Sequence, residues 1–450
     1  MAQVTSSNAD IEEARFARER QEPIQVLWKR ARALSAVALL ASIAACSSAP
    51  RGPVRELPAE ARALLVKAPE MYAMPDPGGM SAESSRLRAA FEDALAPEAR
   101  SMLRHEPALD LVAAVVAETF GDEQQNPTRA LTQWLFWKCG STSLVSYTRT
   151  SWAFGKGQVQ EGLDDKAIGY ARNTKPLLPT SYGVARFTQG TKTSQAVVFG
   201  RASLEVSSFQ KTYAPGAPLT LRIRPLDAST DFVLSLDTGD GGVTSEPMVK
   251  HDDGSFFISR PVPSRPGRYF IEIRARGPQA LAADPLHPWM RTLLWAPIYV
   301  GVPEPVVPDE ALRAVASSPA DPLAWPAWIA GQYNAERARQ GNPLLIFDPR
   351  LVDLARARSA ELAAVDHEVP PDQKLGQKLA AAGIPTNGYY ESHETVEVAS
   401  DYVYMQMLRP SARKRLTLSK QLTLGIGIAA RPAGTSERRS YDEVEYAVYP

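Results

Sequence analysis

Cysteine, histidine and long apolar runs are all scarce in this chain. Its 450 residues hold 2 cysteines and 5 histidines, and no apolar stretch reaches the ~20 residues that a membrane-spanning helix needs. An excess of charge of either sign is missing too. The 50 lysines and arginines balance 50 aspartates and glutamates, so no global field draws the chain to nucleic acid or to an anionic surface. There is no phosphate-cradling glycine loop, no nucleophile-elbow serine motif and no His-Glu-x-x-His. Nucleic-acid binding therefore has no support, and nucleotide hydrolysis, elbow-serine hydrolysis and zincin chemistry lack their motifs.

One short apolar run does stand out. Ala33 to Ala45 follows the basic cluster Lys29, Arg30 and Arg32 and ends Ile43-Ala44-Ala45-Cys46. This length fits a signal-peptide core better than a spanning helix. The branched residue, two small residues and a cysteine resemble the lipobox of bacterial lipoproteins. That resemblance implies cleavage before Cys46, a lipid on its thiol and acylation of its new amino terminus, and several acyl chains together give stable anchoring. Residues 1–25 fit poorly in front of such a signal, which places the expected start near Val26 or Leu27. Ser47, where an aspartate could stand, resembles lipoproteins sorted to an outer membrane. With Cys46 lipidated, Cys139 has no partner within the chain, and stability must come from packing rather than a disulfide.

The length suits several domains, each with its own core, and the periodicity separates them. Residues 1–46 read as extension and signal, and 47–60 as a tether. Residues 60–203 read as an α+β domain: Ser85–Leu95 and Ala108–Thr119 show apolar residues at three- and four-residue spacing. Tyr182–Phe187 and Gln195–Gly200 then alternate like the two arms of a hairpin. From 204 to 302, short alternating segments punctuated by Pro-Gly and Gly-Asp-Gly turns predict an immunoglobulin-like β-sandwich. A proline-rich linker, 303–326, precedes a last domain at 327–450, and truncation after Pro308 is expected to leave a folded fragment. The fold class is thus α/β and multi-domain.

The last domain opens with Tyr333-Asn334-Ala335-Glu336-Arg337-Ala338-Arg339-Gln340-Gly341-Asn342-Pro343-Leu344 and continues through Asp348-Pro349-Arg350-Leu351 to Leu354-Ala355-x-x-Arg358-Ser359. Physically this is a helix stopped at Gly341, an extended piece, and a second helix begun by an aspartate cap and a proline. It resembles the opening of a CAP domain, the sperm-coating-protein-like (SCP-like) superfamily. Leu408–Arg413, Leu424–Ala429 and Glu443–Val448 resemble its later segments. The resemblance implies an α/β/α sandwich and, in many members, a cleft where two histidines and two glutamates can hold a divalent metal. Here Ala412 occupies the second histidine's position, His367 falls about three residues early, and Glu391 or Glu394 stands for the first glutamate, with His393 alternating beside Glu394. The cleft remnants are therefore His367, Glu391, Glu394 and Arg413, and no metal or other cofactor is expected.

Leu103–Ala113 echoes Leu345–Ala355, and Tyr182–Arg186 echoes Leu424–Ile428, so residues 60–203 are themselves a candidate for a second, eroded CAP-like domain. Asp237-Thr238-Gly239 matches the aspartic-protease tripeptide, but it reads better as a hairpin tip. Cys139 with His105 is a candidate nucleophile pair, although the neighbouring Trp134, Phe136 and Trp137 favour a buried free thiol. The implied function is a lipid-anchored envelope protein that binds or scaffolds, with envelope proteins, wall material or lipid as partners. The alternatives are a metal-assisted hydrolase of peptide or wall material, with His367 and Glu394 as remnants of the site, and a lipid- or sterol-binding groove.

Overall fold

The computed structural model describes residues 57–74, 82–95, 97–120, 127, 129–154, 180–189, 192–238, 242–276, 290–306, 319, 321–339, 341–364, 372, 374–396, 399–410, 421–431 and 441–449. Residues 51–450 gather into one compact unit, mixed α/β with several sheets. No helix among the described residues is long and apolar enough to cross a membrane. Cys46, His367, Ala412 and Arg413 lie outside the described residues.

The first part contains helices α1 (Ala59–Val66), α2 (Ala82–Ala94), α3 (Pro97–Met102), α4 (Pro107–Phe120) and α5 (Arg129–Lys138), with strands β1 (Met71–Tyr72), β2 (Leu103–His105), β3 (Leu144–Phe154), β4 (Thr180–Gln189) and β5 (Lys192–Arg201). The sheet order is β2-β4-β5-β3, and β4 and β5 form the hairpin that their alternation predicts. Successive strand residues face opposite sides. Tyr182 and Val184 join Leu87 and Phe91 of α2, while Ala185, Ala196 and Val198 join the core that contains α4. A sheet with helices on both faces is the result.

The middle part holds two sheets. One has the order β11-β10-β14-β15-β8 and the other β12-β13-β9-β6, built from β6 (Leu204–Val206), β8 (Thr212–Tyr213), β9 (Pro218–Pro225), β10 (Thr230–Asp237), β11 (Val243–Pro247), β12 (Val249–Lys250), β13 (Phe256–Pro261), β14 (Gly267–Arg276) and β15 (Met290–Val300). The short β7 (Phe209–Gln210) pairs instead with β1. Along β9, Leu219, Leu221 and Ile223 are buried while Thr220, Arg222 and Arg224 are exposed. Those buried residues meet Phe232, Leu234, Ile271 and Ile273 of the other sheet in a single core.

The last part runs α6 (Trp325–Arg339), β16 (Ile346–Phe347), α7 (Pro349–Ala363), α8 (Leu375–Ala381), β17 (Gly388–Val396), α9 (Ala399–Leu408), β18 (Thr423–Ala430) and β19 (Tyr441–Tyr449). The stop and start read from the sequence are visible in the backbone. Gly341 takes φ +72°, and Asn342 N–H reaches back to the Arg337 carbonyl, a Schellman-type helix end. Asp348 then caps α7 by accepting from Arg350 N–H, with Pro349 in the first turn. Leu422, Leu424 and Ile426 face α6 and α9, and α7 and α8 pack a second core on the other side.

The first and last sheets share one plan. The last is ordered β16-β18-β19-β17; in each, a short strand runs parallel to the first arm of a hairpin whose second arm pairs with a long edge strand. His105 lies opposite Tyr182 in one and Phe347 opposite Leu424 in the other, at identical spacing. A close helix–sheet approach also coincides. A Cβ on Gly183 would stand 2.1 Å from the Leu109 carbonyl carbon, and one on Gly425 would stand 2.4 Å from that of Leu351.

Candidate functional site

Of the residues that the sequence offers as a cleft, Glu391 is the one whose side chain is described. It stands on β17 opposite Tyr446 of β19, and its side chain is only 2 % exposed. Both carboxylate oxygens are engaged: Oε1 accepts from Arg358 Nε at 3.1 Å, and Oε2 accepts from the Asp372 backbone N–H at 2.5 Å. The guanidinium continues the network, donating from Nη1 to Glu361 Oε2 at 3.0 Å. Lys378 Nζ lies 2.5 Å from Asp372 Oδ2 and 3.9 Å from Glu361 Oε1. Three acids and two bases thus interlock α7, α8 and β17.

Burial pushes the Glu391 carboxyl above its ordinary range, against the opposing pull of the Asp372 N–H and the Arg358 charge, and the nearby Asp372 carboxylate adds to the rise. Glu394 is placed by its backbone, opposite Glu443. Glu391, as it is held, is not open to a divalent cation. A metal would have to displace an internal guanidinium that already neutralises the best-placed carboxylate, at the cost of leaving that guanidinium buried and unpaired. Among the described residues, no group of three or more His, Cys, Asp or Glu is placed to hold a metal ion.

Arg358 belongs to the opening motif, but the motif alone does not pair it with Glu391. Its signal was present: positions 351, 355, 358 and 362 form the buried stripe of α7, and an arginine in such a stripe requires a buried partner. The equivalent helix of the first part, α4, carries buried Val112, Val115 and Val116 and has no such cation.

The remaining candidates resolve locally. Cys139 is a free, fully buried thiol, and burial pushes it up to about 12, which removes the thiolate that a nucleophile needs. His105 is engaged elsewhere, with Nε2 2.7 Å from Asp110 Oδ2 and Arg88 Nη1 3.2 Å from Nδ1. Asp110 in turn accepts from Val184 N–H, fixing α4 to β4. Asp237 closes a hairpin, opposite Val243, and Thr238 N–H donates to the Gly242 carbonyl. Asp253 sits in an exposed turn, where the Ser255 hydroxyl and N–H hold its carboxyl down to about 2 and Arg222 Nη2 donates to it at 2.8 Å.

No family model matches the chain, and no curated protein matches it. Solved structures give faint likenesses. An extracellular SCP-domain protein from Bacillus anthracis is 14 % identical with a TM-score of 0.23, covering 52 % of this chain and 67 % of its own. A cysteine-rich secretory protein from Staphylococcus aureus is 10 % identical with a TM-score of 0.23, covering 59 % of this chain and 83 % of its own.

Proposed function

We propose that this chain is a lipid-anchored protein of the bacterial cell envelope, held by Cys46, whose C-terminal CAP-like module serves in recognition or scaffolding rather than metal-assisted catalysis. In this reading, residues 60–203 are a second, eroded CAP-like domain, residues 204–302 an immunoglobulin-like sandwich, and the outer membrane the site of anchoring. Support for the module comes from the motif at Asn334–Leu344, the capped start at Asp348-Pro349, and the three-layer plan common to the first and last sheets. Envelope proteins, wall material or lipid are the partners it would meet.

One observation carries the functional choice. Glu391, the candidate metal-binding glutamate, is neutralised by Arg358 of the same module, so the cleft holds a built-in cation in place of an open ligand set. Calorimetric titration of zinc and calcium into residues 47–450 tests it. No binding heat is expected from wild type. Tight binding that disappears in Glu391→Gln would instead overturn this choice and favour a metal site, the premise of the hydrolase reading.

A further inference from the structure

Two buried ammonium groups converge on a single carboxylate where the chain leaves the central sheets. Glu304 lies just beyond the end of β15, Lys138 is the last residue of α5, and Lys211 sits between β7 and β8. Lys138 Nζ is 2.9 Å from Glu304 Oε2, and Lys211 Nζ is 3.3 Å from Oε1. Lys211 also donates to the Lys138 carbonyl at 2.5 Å, supplying a cation to the C-terminal end of α5. Its side chain is completely buried, and those of Lys138 and Glu304 are 12 % and 14 % exposed. The Tyr72 ring lies beneath Lys211, 5.3 Å from Nζ to centroid. Tyr213, Tyr299 and the Cys139 thiol complete the titratable surroundings. Burial draws Lys211 below its ordinary range while Glu304 opposes the fall.

A second contact touches the same strand. Arg409, at the end of α9, lies over the Trp295 ring of β15 with its guanidinium carbon 5.5 Å from the centroid. Leu408 enters the core shared by the first part and the central sheets. The C-terminal module thus meets both β15 and α5, the helix whose last residue, Lys138, holds Glu304.

We propose that Glu304 is a strap: it pins the segment leaving β15 against α5 and the β7–β8 bend, and so keeps the C-terminal module docked through α9 in one orientation on the rest of the unit. The arrangement is asymmetric by design of charge. One acid answers two buried bases, so its loss leaves two ammonium groups facing each other in a desolvated site, a state that separation of the segments relieves. This holds whether or not the cleft binds a metal, and its test has a different readout from the calorimetry above.

The test is hydrogen–deuterium exchange on the full chain. Glu304→Gln is expected to speed exchange at least tenfold in β8 (Thr212–Tyr213) and in α9 (Ala399–Leu408), leaving β4 and β18 unchanged. In an Arg409→Ala background the same substitution should add nothing further in α9. Lys138→Met leaves one base to one acid, and α9 should stay protected. Two results overturn the strap: faster exchange confined to residues 301–306 with α9 unaffected, or equal loosening of β4, β18 and α9 accompanied by loosening in Lys138→Met. If Glu304→Gln does not fold, Glu304→Asp, which draws the carboxylate back by one methylene, is measured against the same outcomes.

Discussion

Arg358 and Glu391 illustrate how unequal the two ways of removing a buried ion pair are. Arg358→Ala leaves a carboxylate in a site closed to water, and a loss of about 3–5 kcal/mol is expected, measurable by urea unfolding. Replacing both together, as Arg358→Met with Glu391→Leu, removes two desolvation costs along with the attraction and should cost far less than the single change. The pH dependence has a definite sign. Because burial raises the Glu391 carboxyl in the folded state above its unfolded value of ~4.3, the folded protein holds that proton more tightly. Stability from this site is complete below the unfolded value and is lost as pH rises through the raised one. Against Glu391→Gln, which cannot titrate, wild type should be relatively more stable at pH 4 than at pH 7. A difference that grows with pH instead would mean that the Arg358 attraction outweighs burial.

At the scale of elements, Gly183 and Gly425, at equivalent helix–sheet contacts, are the test of the common plan. Gly183→Ala and Gly425→Ala each force a methyl group against helix backbone, which cannot rotate aside as a side chain can. Each should cost roughly 1–3 kcal/mol or more, read as a fall in unfolding midpoint, whereas substitution at exposed Gly216, where a Cβ meets nothing but φ is +73°, should cost only the backbone strain. Much of this architecture is legible in sequence because its signals are local. Asp348-Pro349 marks a helix start by cap and fixed φ, Gly341 marks a stop, and the alternation in Tyr182–Phe187 and Gln195–Gly200 predicts a hairpin. The candidate site was less legible. Glu391 reads as a cleft residue, but its partner Arg358 lies 33 positions away, and Lys138 and Glu304 are 166 apart. No periodicity links such pairs; only the folded path brings them together.

For the molecule as a whole, the contact of α9 with β15 changes what truncation should do. Ending the chain after Pro308 removes Leu408 from a shared core and uncovers Trp295, which is fully buried in the intact unit. The expectation of a folded fragment accordingly gives way to one of a fragment with a lower melting temperature and a tendency to aggregate, checked by calorimetry and light scattering against residues 47–450. The anchor is tested separately: Cys46→Ala should move the protein from the membrane fraction to the soluble one and abolish acyl labelling, and persistence of both would refute the lipoprotein reading.

The indole cluster beneath that contact has an optical consequence. Trp134 and Trp137 meet edge to face at 4.8 Å, and Trp137 and Trp295 at 4.7 Å with an interplanar angle of 89°, with Phe270 closing the group. Held immobile and chirally disposed, these chromophores give the near-ultraviolet circular dichroism spectrum a sharp signature. Its amplitude reports, without any label, whether the seam between the protein's parts is closed.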